Sequence, residues 1–195
     1  GAEDADMPAR HSPSRPEVVQ EESNRADERE SSESESAIAA AGVPRGIASE
    51  ATGRLCSKIG VYRNLRAQFS QAEPLYRRAL SIGEQSLGPD HPEVAIRLSN
   101  LAQLLQDTNR LSEAEPMMRR ALSIGEQSYG PDHPNVAIRL NNLAQLLKAT
   151  NRLSEAEPLM RRALSIFHSS LGEDHPSTQR VAANYESLQE ARDKG

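Results

Sequence analysis

The chain has 195 residues, of which 36% are hydrophobic, with four Tyr, two Phe, no Trp and a formal net charge of -5. Scarce aromatics and negative charge exclude the stacking platforms and cationic faces of nucleic-acid binders, and Cys56, the only cysteine, precludes an internal disulfide or a thiolate metal cluster. No segment approaches the roughly 18 apolar residues of a membrane span, and no signal-peptide order follows Gly1, so a cytoplasmic protein in a reducing compartment is expected.

Residues 1–45 form an acidic leader. Its first 40 residues hold eleven Asp or Glu against four Arg, with many Ser and almost no large apolar side chain. Such a segment cannot bury enough surface to offset the entropy of ordering, so the leader is predicted to be disordered. The run Glu30-Ser-Ser-Glu-Ser-Glu-Ser36 reads as solvated low-complexity sequence, with acid-directed phosphorylation as the functional alternative. Four minus eleven gives -7 for those 40 residues, which leaves +2 for residues 41–195 of the -5 chain.

From about residue 46 onward the chain repeats itself. Asn100-Leu-Ala-Gln-Leu-Leu, Arg119-Arg-Ala-Leu-Ser-Ile and Asp132-His-Pro return 42 residues later as Asn142-Leu-Ala-Gln-Leu-Leu, Arg161-Arg-Ala-Leu-Ser-Ile and Asp174-His-Pro. An earlier copy carries Gln71-Ala-Glu-Pro-Leu-Tyr-Arg-Arg-Ala-Leu-Ser-Ile and Gly88-Pro-Asp-His-Pro. A fixed period of this length is the signature of a solenoid. The copies fall at about 50–91, 92–133 and 134–175, followed by a final helix over 176–193.

Each copy predicts two helices. In the first, Leu98, Leu101, Ala102 and Leu105 make an apolar stripe at helical period, and Pro92, Pro134 or Pro176 after an extended His sets the start. In the second, Ala114, Met117, Met118, Ala121, Leu122 and Gly125 make the matching stripe. Its start is predicted to be a capping box, Ser112 to Glu115, repeated as Ser70 to Glu73 and Ser154 to Glu157, with Pro116 in the first turn. At the ends, Arg63 replaces the Leu105 type and Glu186 replaces Ala102 and Ala144, as expected of terminal capping elements. Arg192-Asp-Lys-Gly195 places cations and a glycine where a helix stops, so a natural C-terminus is expected.

These residues resemble the tetratricopeptide repeats, in the 42-residue form of kinesin light chains and many bacterial arrays. The match rests on Leu98, Leu101, Ala102, Leu105, Leu111, Ala114, Met118 and Ala121, on the Asn-Asn-Leu-Ala and Glu-Ala-Glu-Pro phrases, and on Gly-Pro-Asp-His-Pro. It covers about residues 48 to 193. No heptad pattern precedes the repeats, so the bacterial-type arrays look closer than kinesin light chain itself. The resemblance implies an all-α solenoid of antiparallel helix pairs, about three repeats and a C-terminal capping helix behind the disordered leader. It also implies a concave groove lined by the first helices, in which an Asn corresponding to Asn100, Asn142 and Asn184 faces bound peptide.

Candidate chemistry is sparse. His91, His133 and His175 recur beside Asp90, Asp132 and Asp174, but one packed repeat apart they cannot share an ion and read as turn and helix-start residues. Cys56 takes the place of Leu98 and Leu140 on the packing stripe and reads as a core hydrophobe. No single-copy nucleophile and base occur together, so neither a catalytic residue, a metal, a cofactor nor a small-molecule substrate is expected. What remains is a polar stripe on the first helices: Ile96, Ser99, Asn100, Gln103, Gln106 and Asp107, repeated as Ile138, Asn141, Asn142, Gln145, Lys148 and Ala149. Amides there can donate to and accept from an extended backbone without fixing its sequence. The expected partner-binding residues are Asn100, Gln103, Asn141, Asn142, Gln145, Lys148 and Asn184, and the expected partner is another protein or peptide, not nucleic acid or membrane. The alternative is an architectural array that spaces, multimerises or restrains an effector domain.

Overall fold

In the computed structural model, which describes residues 49–193, every regular element is a helix. The helices are α1 (Glu50–Leu65), α2 (Phe69–Leu87), α3 (Pro92–Asp107), α4 (Leu111–Tyr129), α5 (Pro134–Ala149), α6 (Leu153–Leu171) and α7 (Pro176–Asp193). The acidic leader and its serine run lie outside the described residues, as do the last two residues of the tail.

Ser49 caps α1, its hydroxyl accepting from the Thr52 N–H, and histidine caps the later first helices α3, α5 and α7. His91 and His133 are extended, with φ near -74 and -79, and each Nδ1 accepts a hydrogen bond from the N–H two residues on, that of Glu93 or Asn135, at 3.1 and 3.0 Å. His175 does the same for Ser177 at 3.1 Å. The imidazole thus fills an orphan donor as an Asn or Asp cap would, while the following Pro occupies a position that needs no N–H. Gly88, Gly130 and Gly172 precede these caps at φ of 94, 86 and 84, where a Cβ would be strained.

The predicted capping boxes do not form. Helix α4 begins at Leu111, with Arg110 at the cap position and no side-chain cap bond, so Ser112 already lies inside the helix; α2 and α6 behave alike. The cause lies upstream. Asn109 turns left-handed at φ 58, the Arg110 N–H reaches back to the Leu105 carbonyl at 2.7 Å, and the Thr108 hydroxyl donates to the Leu104 carbonyl. This six-to-one closure fixes both the end of α3 and the entry into α4. Pro116 consequently sits in the second turn and not the first, and the carbonyl it leaves without a donor belongs to exposed Ser112.

Freed from capping, the glutamates bridge repeats. Arg110 donates to Glu73 at 2.7 Å, Arg152 to Glu115 at 2.7 Å and Arg192 to Glu157 at 2.8 Å. A second ladder joins Arg120 to Glu84 and to the Pro89 carbonyl, and Arg162 to Glu126 and the Pro131 carbonyl.

Packing follows the sequence stripes. Leu98, Leu101, Ala102 and Leu105 of α3 and Ala114, Met118, Ala121 and Gly125 of α4 are buried, and Leu140, Leu143, Ala144 and Leu147 repeat the pattern in α5. Each fully buried Leu contributes about 1.5–3 kcal/mol. Cys56 is fully buried at its Leu position, which pushes its thiol pKa up. Arg63 is half-buried and Glu186 exposed, so the core thins at both ends. Helices pair as α1–α2, α3–α4 and α5–α6, and each second helix packs on the next first helix. First helices also touch across repeats, α1 with α3 and α5 with α7, whereas second helices do so to no comparable extent. The first-helix side is therefore the inner side of the stack.

Candidate functional site

Three first helices and one second helix enclose a cavity of about 250 Å³ on that inner side, lined by Gln103, Ile138, Asn141, Asn142, Gln145, Phe167, Arg180 and Val181. Helical spacing explains the lining. Residues 138, 141, 142 and 145 lie at i, i+3, i+4 and i+7 of α5, so all four point along one face. Gln103 enters from α3, while Arg180 and Val181 enter from α7.

Four of the seven expected residues, Gln103, Asn141, Asn142 and Gln145, are brought together here. Asn141 lies beneath the rest, only 5% exposed, its oxygen accepting from Asn184 Nδ2 at 3.0 Å and its Nδ2 facing Asn142 Oδ1 at 3.4 Å. That chain of amides ties α7 to α5 and orders three of the asparagines into one network. Asn184 thus joins the cavity through Asn141. Lys148 lies one turn further on and donates to Ser187 of α7 at 2.7 Å. Gln103 donates to Asp107 at 2.9 Å. Asn100 is half-exposed on α3 and lies outside the cavity.

Phe167, Arg180 and Val181 were not among the expected residues. A column comparison at the 42-residue period carries the missing signal: Gly83 and Gly125 become Phe167, and Arg97 and Arg139 become Val181. At the first two junctions a glycine admits an arginine. A Cβ on Gly83 would overlap the Arg97 guanidinium, and one on Gly125 would lie 3.1 Å from Arg139 Cδ. At the third junction a phenylalanine and a valine fill the same position, and they give the cavity its apolar floor.

The recurrent histidines serve as helix caps, and among the described residues no three His, Cys, Asp or Glu side chains are placed to hold a metal ion. Nor is any described helix long and apolar enough to cross a membrane.

The family model for the tetratricopeptide repeat matches residues 54–127 and 110–169. Among solved structures, BtubC (BKLC) from P. vanneervenii is similar with a TM-score of 0.76 and 21% identity, over 87% of this chain and 68% of that one. The nearly identical repeats of a putative kinesin light chain from Podospora anserina give 0.69 and 19%, over 75% and 69%. The first tetratricopeptide domain of Spaghetti (RPAP3), solved bound to the HSP90 peptide SRMEEVD, gives 0.54 and 12%, over 76% and 98%. No functionally curated protein sequence matches the chain.

Proposed function

Because the chain belongs to the tetratricopeptide-repeat family, we propose that it is an interaction scaffold which holds an extended peptide or a helix of a partner protein along its first-helix face. The observation that carries this reading is the cavity, in which amides from α3 and α5 stand over an apolar floor. Such a site grips in two ways. Main-chain groups of a bound segment exchange hydrogen bonds with Gln103, Asn142 and Gln145, and one apolar side chain reaches Phe167 and Val181. The RPAP3 domain, seen with a peptide bound, lends support at the level of the fold. Asn141 and Asn184 act in this proposal by holding the row in place, and Asn100 and Lys148 extend it along α3 and α5.

The test separates affinity from stability. Replacing Asn100 and Asn142 by Ala removes two bonding positions, each worth roughly 0.5–1.5 kcal/mol net, so affinity falls by about 1–3 kcal/mol. Stability changes by no more than about 1 kcal/mol, since Ala is the better helix former while Asn142→Ala also removes the acceptor of the long Asn141 amide bond. The full chain serves to capture a partner, and the captured peptide is titrated against wild type, the double variant and an Arg119→Ala variant, with a thermal melt of each. Loss confined to the Arg119 variant would move the interface to the outer face, and full affinity in the asparagine variant would remove the groove assignment.

A further inference from the structure

Equivalent junctions along the array fill one buried position with side chains of different length. At the first, Arg97 is only 2% exposed, and its guanidinium donates to the Ala79 carbonyl at 2.8 Å and forms an ion pair with Glu50 at the start of α1. At the second, Arg139 is 8% exposed, and Pro92 stands where Glu50 stands one period earlier. Its Nη1 turns back to the Asn135 carbonyl at 2.8 Å, and its Nε is buried with no acceptor. The long stem nevertheless closes the gap between repeats: the cleft that Arg139 shares with Ser99, Met118 and Asn142 has no room for a water molecule. At the third junction the same column holds Val181, and there the inner face opens into the cavity of about 250 Å³.

The floor of that cavity carries no charge. Phe167 and Val181 are 2% and 1% exposed, and Ile138 adds an aliphatic wall. The amide at depth is already engaged, since Asn141 accepts from Asn184 and faces Asn142. A charged or strongly polar side chain entering here would lose water without finding a free partner on the floor. An alanine methyl would leave most of the space empty and its contacts unmade, whereas a leucine, methionine or phenylalanine side chain fills it. The amides of the face cannot supply the same discrimination. Asn100 and Asn142 repeat, as do Gln103 and Gln145, so main-chain hydrogen bonds alone would be met again after a slide of one repeat.

We infer that Val181 sets the register of the bound partner: its short side chain leaves open at the third junction the space that Arg139 plugs at the second, and one large apolar side chain, Leu, Met or Phe, anchors the segment there. A repetitive row of amides thus acquires a single fixed point. The position is a determinant of specificity through the length of its side chain, and the arginine of the preceding copy acts as a plug. This inference rests on the groove reading for the partner's path, but it makes a claim of its own about which residue selects the register and which side chain the partner must carry.

Two measurements on the full chain test it. In the first, the methyl resonances of Ile96, Ile138 and Val181 are followed by NMR as N-acetyl-leucine methylamide is added, with the alanine and glutamate analogues as controls. The expected result is a progressive shift at Ile138 and Val181 with the leucine compound, which Ile96, one repeat earlier, does not share. No shift, an equal response to all three compounds, or an equal response at Ile96 overturns the assignment. In the second, random peptides displayed on phage are selected on wild type, on Val181→Met, which extends an uncharged side chain into the cavity, and on Arg139→Val, which removes the plug and an unpaired buried charge. Far-ultraviolet spectra and melts of both variants are expected to match wild type closely. Wild type is expected to enrich one large apolar residue at one fixed place. Val181→Met is expected to lose that enrichment and to bind the selected peptide about tenfold more weakly, and Arg139→Val to enrich a second apolar place. An unchanged apolar preference in Val181→Met sinks the role of Val181 and leaves the groove intact, and no second place in Arg139→Val sinks the plug. Peptides that bind the Asn100→Ala/Asn142→Ala chain undiminished, while the leucine compound still shifts Val181, would sink the groove and keep the pocket.

Discussion

A single imidazole starts each of the first helices α3, α5 and α7. His133 offers Nδ1 to the Asn135 N–H at 3.0 Å, and its ring stacks on Tyr129 with centroids 4.9 Å apart. Removing that acceptor leaves an orphan amide at the helix start, so His133→Ala is expected to cost about 0.5–2 kcal/mol, while His133→Asn, which can cap from the same place, retains most of the stability. Urea unfolding of the two variants checks this, and equal losses in both would assign the effect to the lost ring stacking instead. The position of these helix starts was legible in the sequence, because Pro after an extended residue leaves few alternatives. The capping role of the imidazole was not, since histidine is an uncommon cap and the proline alone explained the boundary. The second helices show the reverse failure. Ser112 and Glu115 have the spacing of a capping box, but the left-handed turn at Asn109 lets α4 begin at Leu111, and the pattern then falls inside the helix.

Between elements, the glutamates released from capping become the fasteners of the stack. Burial pushes the Glu115 carboxyl pKa up, but hydrogen bonds from Arg152 and Arg119 outweigh it and leave the value below the ordinary carboxylate range; Glu73 behaves likewise beside Arg77 and Arg110. Glu113 and Glu155 are lowered by hydrogen bonds from Arg110 and Arg152. A carboxyl whose folded value is depressed binds its proton more readily when unfolded. Its contribution is therefore fully present above the unfolded value of about 4.3 and disappears as pH falls through the lower folded value. Stability of the wild type should accordingly decline on acidification below about pH 4.3. Arg152→Met is expected to flatten part of that decline and to lower the neutral-pH melting point only slightly, because Arg152 is 37% exposed. About 1 M salt, with a Debye length of about 3 Å, should erase most of the difference between the two proteins. A melting difference that survives such salt would mean that Arg152 acts through packing along its stem.

For the whole molecule, the helical period and the 42-residue repeat were enough to read an all-α solenoid, because a stripe of small and aliphatic side chains on each helix can be buried only by stacking. The inner polar face was partly legible: Gln103, Asn142 and Gln145 were found by spacing, whereas Phe167 and Val181 appear only when columns are compared across copies, since each departs from its neighbours in charge or volume. The leader, residues 1–45, lies outside the described residues, and its expectation stands as a prediction. Deleting residues 1–40 should leave the thermal melt and the far-ultraviolet spectrum of the repeats nearly unchanged, as that segment carries no apolar stripe to dock. A strongly lowered midpoint in the truncated protein would show that the leader is part of the folded unit.

The repeat-to-repeat bonds have one further consequence, for ancestry. Arg110 with Glu73 and Arg152 with Glu115 both span 37 residues, and Arg120 with Glu84 and Arg162 with Glu126 both span 36, so each fastener joins a copy to its predecessor and to nothing else. Unequal crossing-over between the near-identical copies would thus excise or insert a whole copy with every surviving fastener still in register. Excision of residues 92–133 sets Arg139 in the register of Arg97, opposite Gly83 and Glu50, and its charge would then be met from within the chain. Loss of that copy therefore gives a buried charge the counter-ion it lacks in the present array, while the fold around it stays as it was.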